Sequence, residues 1–212
     1  MADLLDGARG VTFVDDVPAS VATADHVPVD DQSSRTVPLW PIPDDLLHTY
    51  RTLLSKAWSP RTIHPDFAFT RIDGKPVSRG QCGVTSAWLL HKLRQWQPEI
   101  EATYCYGEVV SLDETLADHC WVEIKGSSSP ECWVVDLTCD QFDVFKGEAV
   151  RCESHDSLKR RSIEYKAISQ LSYGDLKRDL VWKRFKKLKY RIRLSSPLAT
   201  VRLRFATATR SS

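Results

Sequence analysis

Residues 81–96 read QCGVTSAWLLHKLRQW, and the fold turns on how this stretch is read. Val84, Ala87, Trp88, Leu90, His91 and Leu93 recur at the spacing of one helical face. Pro98 closes the pattern shortly after Trp96. The spacing therefore predicts a largely buried helix with Cys82 in its first turn, and such a helix needs an apolar surface to cover it.

That surface is written downstream. Residues 102–110 are rich in Tyr and Val and predict a strand. From His119 to Ile124, His, Trp and Glu alternate with Cys, Val and Ile, a period of two. A turn signal spans Gly126 to Pro130, and Cys132 to Leu137 reads as the return strand, so the pair predicts a β-hairpin. Upstream, Leu46, Leu47, Tyr50, Leu53 and Leu54 predict a helix that opens with Asp44 as N-cap and ends near Trp58 at Ser59-Pro60. The loop after it carries a turn signal at Asp73-Gly74. Beyond Phe142 the patterns weaken. Residues 158–171 read as irregular or partly helical, and 176–189 as a basic helix. From Arg191 to Ala208, Leu, Val and Phe alternate with Arg and Thr, the pattern of a closing strand or a tail. The fold class expected is α+β, with the Cys82 helix packed on an antiparallel sheet.

A thiol is reactive as its thiolate, so Cys82 needs its pKa lowered. A helix N-terminus supplies about half a positive charge. A neighbouring imidazole does more by forming a thiolate–imidazolium pair, and a third polar group must then orient that imidazole. His119 and Asp136, on the two strands of the predicted hairpin, are positioned for these two tasks, since cross-strand neighbours sit about 5 Å apart at Cβ. Gly83 leaves room for a substrate's backbone, the Cys82 N–H is an oxyanion donor, and Gln81 and Gln141 are alternative side-chain donors. His91 is expected to pack or to face solvent. Cys120 points opposite to His119 and is expected in the core. Cys105, Cys132, Cys139 and Cys152 have no base or ligand at telling spacing, so no metal or cofactor is expected.

The segments GQCGVTSAWLL, DHCWVEI and CWVVDLT resemble, in this order, the transglutaminase-like branch of the papain-like cysteine fold. A closer resemblance is to the YunG-like family of uncharacterised bacterial proteins, carried by AWSPRTIHP, RGQCGVTSAWLLHKL, HCWVEI and VVDLTCDQF, with the later WKRFKKLKYRI. It covers roughly residues 39–193. The wider fold implies Cys82 as nucleophile, His119 as general base and acid, and Asp136 as its orienter. It also implies hydrolysis or acyl transfer at an amide, ester or thioester, with a peptide or small acyl compound as substrate. The YunG-like family brings no activity with it. The alternative reading is a non-catalytic binding module on the same scaffold.

The rest of the composition narrows the field. The chain has 212 residues and a formal net charge of +1, so global charge points to neither nucleic acid nor membrane. Residues 1–36 read as an acidic, mobile arm, 37–195 as a single domain, and 196–212 as the tail or strand already mentioned. The basic run from Lys177 to Arg193 interleaves with Trp182 and Phe185, as a surface for nucleic acid or an acidic partner would. A solvated helix with its aromatics packed inward is the competing account. Six cysteines without CxxC spacing, behind an acidic N-terminus that lacks an apolar core, predict free thiols and a cytoplasmic location.

Overall fold

The computed structural model describes residues 42–67, 77–125, 131–145 and 147–195. The expected arm, the turns at 73–74 and 126–130 and the stretch 196–212 lie outside them. Helices α1 (Asp44–Ala57) and α2 (Cys82–Trp96) come first. They are followed by strands β1 (Glu101–Val110), β2 (Thr115–Lys125), β3 (Cys132–Asp136) and β4 (Arg151–Ser154). The chain continues through α3 (His155–Arg160), β5 (Glu164–Leu171), α4 (Tyr173–Leu176) and α5 (Val181–Ser195). The strands form one sheet in the order β4-β3-β2-β1-β5, with every neighbouring pair antiparallel. The architecture is α+β.

Strand alternation divides the core into two layers. Cys120, Val122 and Ile124 of β2 face the same side as Tyr104 and Val135, and this side is covered by α1, α2 and α5. Trp121 faces the other side with Cys105, Val109, Val134 and Tyr165. That side is closed by Phe142 and Phe145 from the segment after β3 and by Leu158 of α3. Burying each such large side chain is worth about 1.5–3 kcal/mol.

Helix α1 buries Leu46, Leu47, Tyr50 and Leu54, a stripe at helical spacing. Its N-cap is Pro43, not the expected Asp44. Asp44 and Asp45 instead occupy the first turn, where their charge suits the positive end of the helix dipole.

Three further expectations are corrected. Residues 158–171 hold the end of α3 and then the edge strand β5. Along β5 only Tyr165 is fully buried, so the strand lacks the apolar alternation that would have announced it. The basic helix starts five residues later than expected, because Leu176 ends α4 and 177–180 form a turn before α5. Asp179, in that turn, accepts the Val181 N–H at 2.7 Å. Finally, Arg191 to Ser195 continues α5 and begins no strand. Helix α5 buries Val181, Phe185, Leu188 and Ile192, and the half-buried Trp182 meets Tyr173 edge-on and Phe185 at a tilt, so these aromatics pack inward. Among the described residues, no helix is long and apolar enough to cross a membrane.

One irregularity positions the site. Gly107 pairs with His119 and Val109 with Leu116, so β2 carries one more residue than β1 between these pairs. Asp118, at φ 58°, absorbs the extra residue in the left-handed region. The bulge sits immediately before His119.

Candidate active site

Cys82 is the first residue of α2, which starts without a side-chain cap. The opening N–H groups of a helix have no partner within it, so Cys82 sits where backbone donors and the helix dipole favour negative charge. The helix start is held from outside. Gln141 Nε2 donates to the Ser78 carbonyl at 3.0 Å, and Ser78 Oγ donates to Asp140 Oδ1 at 2.7 Å. Arg51 of α1 grips Asp140 at 2.7 Å and the Leu137 carbonyl at 2.6 Å. The segment 136–142 is thus a strut between α1 and the turn that launches α2. Ser86 Oγ donates to the Cys120 carbonyl at 3.0 Å and fixes the helix on β2.

His119 and Asp136 meet with Nε2 and Oδ2 at 2.7 Å, both buried. Val122 pairs with Val135, so His119 lies two residues beyond the position opposite Asp136. The contact is diagonal across the strands, not face to face as the spacing suggested. Asp136 is saturated. Its Oδ1 accepts the Thr138 N–H at 2.7 Å and the Thr138 hydroxyl at 2.9 Å, and its Oδ2 also accepts the Tyr165 hydroxyl at 3.1 Å. Burial opposes its charge, but His119 and Thr138 outweigh that and hold the carboxyl below its usual range. Burial likewise opposes a charged His119, yet Asp136 and then Cys82 raise its pKa to about 10. With Nε2 donating to Asp136, Nδ1 is the nitrogen left for the thiol.

The Cys82 thiol lies 3.9 Å from the Asp118 carbonyl oxygen, and Cys120 and His119 bias its ionisation. The Cys120 side chain holds its pKa well below the ordinary thiol value, against the effect of burial, and His119 adds to the lowering. Cys120 is raised well above its ordinary value, first by the Cys82 contact and then by burial. The Cys120 sulfur accepts the Tyr104 hydroxyl at 3.0 Å. Burial also raises Cys105, Cys139 and Cys152.

Cys82 opens onto a cavity of about 470 Å³. Tyr104, Tyr106, Asp118, Cys120 and Arg184 are among its walls. Asp118 accepts the Tyr106 hydroxyl, and Arg184 Nη1 is buried without a hydrogen-bond partner among the described residues. Gly83 also lines the cavity, but a Cβ there would come within 3.2 Å of both Tyr104 Oη and Val181 Cγ2. Its missing side chain therefore lets α2 close on β1 and α5.

The two glutamines are not brought to the thiol. Gln81 places Oε1 on the Thr62 hydroxyl at 3.0 Å and Nε2 on the Ser59 carbonyl at 3.4 Å, and Gln141 is committed to Ser78. Neither lines the cavity. His91 sits between Tyr173 at 2.7 Å and Lys189 at 3.1 Å, lowered to about 4 by burial and the Lys189 charge, a neutral link among α2, α4 and α5.

Cys120, Tyr104, Thr138 and Tyr165 belong to the site although the sequence did not single them out for it. For Cys120 a signal existed. Alternation placed it on the face opposite His119, and that is the face on which the Cys82 helix packs. Tyr165 had none, because β5 itself was unreadable. No protein-family model, no curated protein and no solved structure matches this chain.

Proposed function

We propose that the protein is a cysteine-dependent hydrolase or acyltransferase acting on an amide, ester or thioester, with a core of the papain-like, transglutaminase-like kind suggested by its YunG-like segments. The observation that carries this reading is the Cys82 thiol at a helix N-terminus, beside a His119–Asp136 pair and open to a cavity. The Cys82 thiolate attacks the acyl carbon, and the developing oxyanion lies against the free N–H groups of the first turn of α2. Charged His119 gives its proton to the leaving group, and an acyl-enzyme forms on sulfur. Neutral His119 then takes a proton from water or from an acceptor nucleophile, which attacks the thioester and restores the thiolate. Asp136 stays ionised and holds the ring in one orientation throughout. Tyr104 donates to Cys120, which lines the same cavity as the thiol.

The test is the pH dependence of iodoacetamide alkylation, with the modified site read by mass spectrometry. Cys82 is expected to react with an apparent pKa well below the ~8.5 of a free thiol, while Cys105, Cys139 and Cys152 stay slow. His119→Ala is expected to move the Cys82 value upward. An unreactive Cys82, or an ordinary pKa that ignores His119, would overturn the reading. A reactive Cys82 justifies assays on amide, ester and thioester substrates.

A further inference from the structure

On the sheet face that carries Trp121 and Val134, at the far end of β2 and β3 from His119 and Asp136, a carboxylate, a thiol and an imidazole converge. Glu123 belongs to β2, Cys132 opens β3 and His155 opens α3. His155 Nε2 lies 3.2 Å from Glu123 Oε1, and Cys132 Sγ lies 3.9 Å from Glu123 Oε2. All three donor atoms fall within 4.8 Å of one another.

These spacings are a little wider than those of a coordination sphere. Bonds of about 2.0–2.3 Å in a tetrahedron leave neighbouring ligand atoms roughly 3.3–3.6 Å apart, so a small inward movement closes the trio on an ion. We propose that Glu123, Cys132 and His155 form a binding site for a divalent transition-metal ion, zinc by the chemistry of its donors, with the fourth position left to water. Mixed sulfur, nitrogen and oxygen donors suit zinc and disfavour calcium or magnesium, which take oxygen.

Three observations favour this over a plain ion pair. The Cys132 thiol gains little from Glu123 as it stands, since a contact of 3.9 Å is a weak sulfur hydrogen bond. Glu123 already has the outer support that ligating carboxylates need, from Trp121 Nε1 at 3.0 Å and Gln170 Nε2 at 3.1 Å. The site is also reachable, with the His155 side chain 34% exposed and that of Glu123 13%. The adjacent Cys105 is buried and turns its Sγ toward the Thr103 carbonyl at 3.9 Å, so it is not counted among the ligands. Coordination releases the protons of Cys132 and His155 to solvent and puts the lone pair of each on the ion. One ion would then tie β2, β3 and α3 together.

The experiment is a cobalt(II) titration of the full chain after chelator treatment, in wild type and in Cys82→Ser. The expected result is one ion per chain, with the visible bands of a tetrahedral site and a near-ultraviolet thiolate charge-transfer band in both proteins, displaced by one equivalent of zinc. Cys132→Ser should abolish the charge-transfer band, and His155→Ala should weaken binding at least tenfold, with circular dichroism checking that each variant folds. The wild-type titration decides even if a variant does not fold. No tetrahedral spectrum in wild type would overturn the site. So would a spectrum that Cys132→Ser leaves intact, or one that Cys82→Ser removes.

Discussion

At the residue scale the His119–Asp136 pair makes a claim about stability as well as chemistry. His119 is raised from 6.5 to about 10 on folding, so its contribution is complete below about pH 6.5 and fades as pH climbs through 10. Asp136 is depressed, so its share is present above the ordinary carboxylate value of ~3.9 and is lost as pH falls through its lowered one. The pair is therefore worth most between about pH 4 and 6.5. Removing one partner of a buried pair costs about 3–5 kcal/mol. In urea unfolding, His119→Ala is expected to trail wild type by that order near pH 6, with the gap narrowing above pH 8. A gap that does not change with pH would mean that His119 is buried uncharged. Asp136→Asn removes the charge that raises His119, so His119 should titrate lower by NMR and Cys82 should alkylate with a higher apparent pKa.

The element scale turns on the bulged β1–β2 pair and on the close fit of β5. A Cβ on Gly107 would lie 2.0 Å from the Lys166 carbonyl oxygen and 2.9 Å from the Ile168 nitrogen, so only glycine lets β5 reach the β1 backbone. β5 delivers Tyr165 to Asp136, and Gly107 itself pairs with His119. Gly107→Ala should cost about 1–3 kcal/mol, in the range of overpacking, and lower Tm by roughly 2–4 °C per kcal/mol lost. It should also raise the Cys82 alkylation pKa, because β5 can withdraw only by taking Tyr165 with it. Gly147, at φ 83° with nothing near its Cβ position, offers a contrast. Ala there is expected to cost less, through backbone strain alone. Equal losses at the two sites would contradict the packing argument.

At the scale of the whole molecule, the site straddles the sheet. Cys82, Cys120 and Tyr104 belong to the layer under α1, α2 and α5, whereas Trp121 and Tyr165, which flank His119 and Asp136, belong to the opposite layer. The two layers must therefore dock in register for the thiol and imidazole to meet. Arg51 and Asp140 are the clearest tie, at 2.7 Å, with only 12% and 11% of their side chains exposed. A double-mutant cycle of Arg51→Ala and Asp140→Asn should yield a coupling of about 1–3 kcal/mol, in the range for contacting pairs. Coupling near zero would place the tie elsewhere in the strut. The same variants are expected to slow Cys82 alkylation, since Asp140 also holds Ser78 ahead of α2.

Read alone, the sequence determined the elements whose burial is one-sided and periodic. The apolar faces of α1 and α2 and the alternation along β2 and β3 announce themselves locally, because each must hide one side from water. It also singled out Cys82, His119 and Asp136 as residues that a helix start and a hairpin can bring together. Only the tertiary structure decided how they meet. The diagonal contact of His119 with Asp136 depends on strand register and the bulge at Asp118, and the duties of Gln81 and Gln141 depend on which loop packs beside them. β4 and β5 stayed unread because a short strand and an exposed edge strand bury too little to impose a pattern. The grouping of Glu123, Cys132 and His155 was invisible for a related reason. It is assembled by β2–β3 pairing and the docking of α3, not by any spacing along the chain.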